Sequence, residues 1–569
     1  MVSVAVIVAI AVTILANLLA DRKFTRIDLT KEGRYSLSDP FKRILGRLEE
    51  RAAVTYYISS QVPAGFLNYR QAIIDKLKEV ENISGGKIKL EIIDPGDNPE
   101  LSKRLTEAGA KLQAPDVKKE AVTFMNLFTC IEIVYQEKPR VLIPRIEFAE
   151  EVEYLLGGKI IELTTEKKPV IAVQAPPAPQ NNPMTGGGMG GSGYEYLQQG
   201  QWEGGDRFDV RAVDLTEGNS IPDNARLLIL IRPRNLNERQ QYEVQKFLAE
   251  GGNVLMLASP FKVAYERTWH AEQTPTGLEE YLKSFGVTFG SDFVADNSNL
   301  RLPLRDRYGF PVKDRNGQIR FQRNPLFVRI LSENVNQELV LTRYMPGLLM
   351  PSPAEIKFKP ETLKSHGLNE IVLAKTSKKS WSVNYMDVID TESLENYDEE
   401  RQIYDGSKNV FVMLKGQFPF SFEGKPIPEW RKSSEPSADK PAATASASRK
   451  PGCLVLCSAP ESFHQMYMMV PDLARDIQGN AAMLVNVAES LTLGDDLIQL
   501  RTKQYETRTI DKLAGNENDA KRNAVKFLLT VGVPLLIVVA ALIRAALRRD
   551  AQTRYERRFA ATGPSSFTP

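Results

Sequence analysis

The residue types able to act as nucleophile, general base or metal ligand are few and far apart in this chain. It has three cysteines, Cys130, Cys453 and Cys457, and three histidines, His270, His366 and His464. A zinc site or a nucleophile–base pair needs several such groups to converge, and this stock is thin for either. Cys453 and Cys457 flank a short apolar run, Leu454-Val455-Leu456. At strand rise their Cα atoms would lie ~13 Å apart, too far for a disulfide, so both read as small core residues. His464 follows Cys457 closely enough to offer a thiol–imidazole pair, but an apolar strand ending in a polar turn accounts for both. Glu150-Glu151 and Asp495-Asp496 are the acid pairs that glycoside hydrolysis would use. Acids adjacent in sequence more often form a solvated face or cap a helix.

One further segment invites chemistry. Residues 176–193 read PPAPQNNPMTGGGMGGSG, and glycine-rich loops can aim backbone N–H groups at phosphate. No Lys-Ser/Thr follows, and G-x-x-x-x-G-K is not completed. An exposed loop is the better reading. The expectation is therefore a chain with no catalytic, cofactor-binding or metal-binding residues and no bound cofactor: not an enzyme, and without ATPase activity of its own.

The elements around these residues give the organisation. Lys plus Arg total 73 against 71 Asp plus Glu, a net charge of +2, so nothing in the balance calls for nucleic acid as a partner. Hydrophobic residues at 42% and charged residues at 25% describe a folded chain of several domains, not a disordered or fibrous one. Residues 2–20 and 527–543 are uncharged apolar runs, the second flanked by Lys526 and Arg544. Each is near the length that crosses a bilayer, and they read as two transmembrane anchors in contact with lipid, the first uncleaved. The arginines from Arg544 to Arg558 would hold the tail in the cytoplasm. The expected localisation is thus a two-pass inner-membrane protein with a large extracytoplasmic region. Gly532, Pro534, Ala540 and Ala541 would let the second span pack closely against a neighbouring membrane helix.

Between these runs strand and helix signals alternate. Residues 53–58, 87–93, 122–135 and 140–143 read as strands, with helices at 69–81, 99–108 and 148–163. That order is thioredoxin-like. Ser59-Ser60-Gln61-Val62 stands where a redox version would carry Cys-x-x-Cys. Strands at 169–173, 208–213, 226–231 and 254–258, with a helix at 238–249, imply a parallel, flavodoxin-like sheet covered on both faces. The pattern weakens over 300–430. Residues 431–450 read as a Ser/Ala/Pro-rich linker, before a strand at 452–457 and a helix at 481–491. The expected domains are an anchor (1–20), a thioredoxin-like α/β domain (21–166), a second α/β domain with insertions (167–430), a linker (431–452), a segment returning to the second domain (453–522), a second transmembrane helix (523–548) and a basic tail (549–569). The fold class is α/β.

Several short motifs then fall in order. They are Arg26-Ile27-Asp28-Leu29-Thr30, Tyr35-Ser36-Leu37-Ser38, Ile93-Asp94-Pro95, Gly251-Gly252-Asn253-Val254-Leu255, Gly479-Asn480-Ala481-Ala482 and the closing Arg548-Arg549. In this order the chain resembles the auxiliary, Gld-like component of gliding-motility-type ABC transporters, with its intraflagellar-transport-like domain. The resemblance implies separate ATPase and permease subunits as partners and an accessory role beside them. Cargo or an envelope polymer would be the other partner of the outer domains. The second α/β unit also resembles class I glutamine amidotransferases, whose cysteine nucleophile sits on a tight strand-to-helix turn. Here the strand at 226–231 is followed by Arg232-Pro233-Arg234-Asn235, with no cysteine. The resemblance therefore implies a fold without its chemistry. The competing expectation is an extracytoplasmic hydrolase acting on the envelope.

Overall fold

The computed structural model describes residues 37–63, 66–118, 121–177, 192–216, 219–265, 269–304, 310–390, 394, 397, 400–430, 444–468, 474–501, 528 and 533–560. The chain divides into two units, Met1–Gln504 and Tyr505–Pro569.

Among the described residues the first unit opens with helix α1 (Asp39–Gly46), started by Ser38, whose hydroxyl accepts from the Phe41 N–H, and by Pro40 in the first turn. The β-branched and aromatic run Ala52–Ile58 forms β1. Helix α2 (Leu67–Ile83) buries Ile73, Ile74, Leu77 and Val80, and Ile88–Ile93 (β2) lies parallel to β1. Asn98 caps α3 (Pro99–Glu107), accepting from Glu100 N and Leu101 N at 3.1 Å. Three strands follow, Lys111–Lys118 (β3), Ala121–Val134 (β4) and Val141–Ile143 (β5), then α4 (Val152–Thr164). The sheet order is β2-β1-β4-β3, with β5 also on β4.

The exposed edge of this sheet is closed by side chains. Lys87 turns its carbonyl inward to Ala52 N, so alternate residues Ile88 and Leu90 present their N–H groups outward. Ser84 Oγ accepts from Ile88 N at 3.1 Å, and Glu81 Oε1 accepts from Leu90 N at 2.9 Å. Capped donors blunt an edge that could otherwise recruit a foreign strand.

The larger sheet has seven strands. Val170–Gln174 (β6), Asp209–Ala212 (β7), Ala225–Ile231 (β8) and Asn253–Leu257 (β9) are joined by Asn369–Lys375 (β10), Asn409–Gly416 (β11) and Gly452–Cys457 (β12). The order across the sheet is β10-β11-β12-β9-β8-β6-β7. β7, β6, β8, β9 and β12 run parallel side by side, β11 runs against them, and the edge strand β10, antiparallel to β11, points the same way as the five. Parallel strands are covered on both faces, which is why β12 and the second half of β8 are wholly buried. Helix α5 (Glu238–Ala249), opened by a capping box between Asn237 and Gln240, covers one face through Val244 and Leu248. Helix α6 (Ala474–Thr492) covers the other through Met483, Leu484 and Val487. Helix α7 (Asp496–Arg501) then returns to the N-terminal core, where Leu497 and Leu500 join Phe41, Ile44 and Leu156. Gly157 makes room for it, since a Cβ there would stand 2.9 Å from Leu500 Cδ1.

Nine further strands between Phe261 and Ile389 form three small sheets, with aromatic packing of Phe261 on Phe293 at 4.2 Å and of Tyr265 on Phe327 at 4.9 Å. This is the region where the sequence pattern weakens. Residues 444–450 of the segment read as a linker pack on the large domain: Thr444 bridges Pro426, Ala445 is buried, and Lys450 N donates to the Ala249 carbonyl at 2.9 Å.

The second unit contains helix α8 (Val533–Ala560). Two transmembrane helices flanking an outer region were expected here, and the structure corrects this. The uncharged run inside α8 is Val533 to Ile543, ~16 Å of helix against the ~30 Å of a bilayer core, before Arg544 and Arg548 intervene. No helix among the described residues is long and apolar enough to cross a membrane. The expected two-pass inner-membrane localisation falls with the spans, and so does docking of a second span on a permease helix through Gly532, Pro534, Ala540 and Ala541. The apolar run 2–20 lies outside the described residues.

Candidate functional site

In chain order the five parallel strands are β6, β7, β8, β9 and β12, so their spatial order is 5-4-3-1-2. Such a sheet reverses its winding between the first and third strands, here β6 and β8, and opens a crevice at their carboxyl ends. Arg232 is the first residue beyond β8 and stands at this point. Its backbone has φ +45°, in the left-handed region that non-glycine residues seldom occupy. The turn is held by its N–H, which donates to the Leu257 carbonyl of β9 at 2.8 Å. The guanidinium forms an ion pair with Glu461, from the short helical turn Pro460–Phe463 after β12; the two side chains are 14% and 12% exposed.

Ser259 lies between these partners in the sheet. It is two residues beyond Leu257, which pairs with Ile231 on one side and Cys457 on the other. Ser259 is only 6% exposed, and its Oγ has no hydrogen-bond partner. At the end of β6 the buried Oε1 of Gln174 also has none. A buried polar atom left unpaired costs about 1–3 kcal/mol, so each such atom calls for an explanation.

Aromatic side chains wall the site. The buried Tyr194 donates its hydroxyl to the Pro460 carbonyl at 3.3 Å, and Tyr196 donates to the Phe463 carbonyl at 2.7 Å. His464 stands edge-on to Tyr194 with ring centres 5.2 Å apart. Gly193, at φ +81°, lies directly beneath the imidazole, where a Cβ would collide with the ring. Gln465 N donates to the Gly193 carbonyl at 2.8 Å. Tyr265 donates to Ser352 Oγ at 2.8 Å. Burial, then the nearby Arg232 charge, pushes the His464 imidazole below its usual range, so it is neutral near pH 7. Burial pushes the Tyr194 and Tyr265 hydroxyls up.

Asn480 fixes the loop that carries Glu461. Its amide brackets Leu349, accepting from Leu349 N at 3.1 Å and donating to Leu349 O at 3.0 Å, and it donates to the Ser462 carbonyl at 2.9 Å. Gly479 lets α6 approach the Gly347 backbone, where any Cβ would clash. The Gly479-Asn480 pair of the sequence motif is thus a packing and bracing device for the site.

The residues singled out by type are elsewhere or occupied. Cys453 and Cys457 lie in the core of the large sheet and Cys130 in that of the N-terminal domain, and burial raises all three thiols to about 12. Such thiols are poor nucleophiles. Cys457 Sγ faces the Ala459 carbonyl at 3.7 Å, whereas His464 packs on Tyr194. His270 is on an exposed strand, and His366 Nδ1 lies 2.9 Å from the Thr362 carbonyl at a helix end. Asp496 pairs with Arg43 at 2.7 Å and Asp495 accepts from Ser490 Oγ at 2.5 Å, while Glu151 accepts from Glu147 N at 3.3 Å. These acids serve local structure. No group of three metal-ligating side chains occurs among the described residues. Most of the glycine-rich loop, 178–191, lies outside them. Glu461, Ser259 and Tyr194 carried no signal in the sequence. Arg232 was visible there as the residue after an apolar strand.

An exo-β-1,4-mannosidase, Op5Man5 from Opitutaceae bacterium strain TAV5, is a similar solved structure at 10% identity and a TM-score of 0.22. The match covers 73% of this chain and 50% of that one, so the chain spans about half the mannosidase's length, and a likeness at this score carries no argument. No curated protein matches the chain significantly. A domain of unknown function, DUF7088, matches residues 31–131. A family described as an ABC-type uncharacterized transport system, auxiliary component, matches residues 168–467, which include β6 to β12 and the Arg232–Glu461 pair. With more than half of its 569 residues matched, the chain belongs to this family of auxiliary components of ABC-type transport systems.

Proposed function

We propose that the chain serves its transport system by binding and not by turnover, using the carboxyl edge of the large sheet as its recognition surface for cargo while it associates with the permease and ATPase subunits. The observation that carries this reading is the residue at the switch point. An amidotransferase-like unit with chemistry would have its nucleophile on the turn after β8; this chain has Arg232 there, paired with Glu461. A guanidinium cannot serve as nucleophile or base at neutral pH, but it is well suited to hold an acid group. The high thiol pKa values of Cys130, Cys453 and Cys457 support the same reading.

The test is affinity purification of the tagged full chain from its own cells in mild detergent, with mass spectrometry of what accompanies it. Permease and ATPase chains should co-purify, and the isolated chain should hydrolyse no ATP. Absence of both chains under conditions that keep the permease–ATPase complex intact would remove the reading.

A further inference from the structure

The geometry points to a small zwitterion, with an ammonium and an acid group about one carbon apart, as the class of ligand that the Arg232–Glu461 pair accepts. The inference rests on the reading of the carboxyl edge as a binding surface and specifies what binds there. A guanidinium and a carboxylate in direct contact present opposite charges side by side, both partly exposed at the switch point. A ligand bearing one charge would gain one partner and meet repulsion from the other. A neutral ligand would bring hydrogen bonds but no counter-charge to either group. A zwitterion laid antiparallel to the pair closes a ring of four alternating charges, each hydrogen bond charge-assisted, without breaking the existing ion pair.

Two unpaired atoms at the ends of the strands flanking β8 fit the same ligand. Ser259 Oγ, nine-tenths buried and between the two strand ends, has a hydroxyl proton to give to an acid oxygen. Gln174 Oε1 at the end of β6 is an acceptor for an ammonium N–H. Four groups therefore divide into two that favour an anion, Arg232 and Ser259, and two that favour a cation, Glu461 and Gln174. The left-handed turn at Arg232 is a backbone cost retained where the winding reverses, as expected of a residue placed for recognition and not for the sheet alone. Because the two protein charges touch, the ligand's charges must also be close. The site should rank glycine and L-alanine above β-alanine, and 5-aminovalerate last.

The experiment is isothermal titration calorimetry of the purified full chain with glycine, L-alanine, β-alanine, 5-aminovalerate, N-acetylalaninamide, acetate, methylammonium and mannitol. The α-amino acids should bind, and acetate, methylammonium and N-acetylalaninamide should each bind at least tenfold more weakly. Arg232→Met and Glu461→Gln should each lower the affinity for L-alanine at least tenfold, while Lys103→Ala, an exposed change on α3, leaves it unchanged. Circular dichroism checks the fold of each variant; if either fails to fold, the ranking of probes on the unaltered protein decides. No heat with any α-amino acid at millimolar concentration overturns the inference. So does equal binding of N-acetylalaninamide or mannitol, or affinity unchanged in both folded variants. Co-purification of permease and ATPase chains with no zwitterion binding would sink this inference and leave the proposed function standing.

Discussion

Arg207 and Glu489, 282 positions apart in the chain, form an ion pair inside the protein, and the Glu489 side chain is 0% exposed. Arg501 donates to the same carboxylate at 3.2 Å, and Tyr154 of α4 lies under both guanidiniums, at 5.3 and 5.8 Å. Arg207 also donates to the Tyr154 hydroxyl at 3.0 Å. One carboxylate thus ties α6, α7 and the turn before β7 to the N-terminal domain. Burial pushes the Glu489 carboxyl up, against the pull of the two arginines.

Removing Glu489 leaves two arginines without their shared counter-charge. Glu489→Ala should cost about 3–5 kcal/mol, the usual penalty for breaking a buried ion pair from one side. Urea unfolding followed by tryptophan fluorescence measures it. Glu489→Gln, which keeps a hydrogen-bond acceptor, should lose less.

Asn480 satisfies three buried backbone groups at once. Asn480→Ala strands the Leu349 N–H and two carbonyls, at about 1–3 kcal/mol for each left dry. The variant should melt at lower temperature, and the Leu349 amide should exchange with deuterium faster than in the unaltered chain. An unchanged Leu349 exchange rate would show that the bracket is not what holds the loop.

The edge cap on β2 makes a local prediction. Glu81→Ala should free the Leu90 amide, raising its hydrogen-exchange rate about tenfold, the ~1.4 kcal/mol of one lost bond, with Tyr56 in β1 unaffected.

His464 gives the protein a pH dependence of known sign. Its folded pKa lies below the unfolded value of about 6.5, so between the two the unfolded chain binds more protons. Its contribution to stability is full above the unfolded pKa and falls on acidification through this window, even though the nearby Glu195 carboxylate favours the charged ring. Thermal melts from pH 8 to pH 5 should show a decline that is shallower in His464→Gln. A decline of equal slope in the variant would assign it to other groups.

The sequence made regular elements legible where burial imposes a period. The helix read over 238–249 coincides with α5, because its apolar residues recur at helical spacing and Asn237 opens a capping box. The runs at 226–231 and 452–457 were legible as strands because both faces are covered. β3 went unread because Pro115 and its charged residues carry no strand pattern; pairing with the long β4 decides it. The membrane reading over 527–543 is not supported, because in the described part of α8 the uncharged stretch from Val533 to Ile543 is too short to cross a bilayer before Arg544. The candidate site was largely illegible for a different reason. Arg232 adopts a left-handed turn with no glycine or asparagine to announce it, and its partner Glu461 is brought in from across the sheet by tertiary pairing alone.

The account turns on the carboxyl edge of the large sheet being where this auxiliary component meets what its transport system handles. Lys262 is an exposed residue beside that edge and Lys103 an exposed residue on α3. Replacing each in turn by a photo-crosslinking amino acid in the full chain, irradiating cells and identifying the adducts tests the claim directly. The account predicts adducts from position 262 with a transport-system chain or its cargo, and none from position 103. Adducts from position 103 with position 262 silent would contradict it.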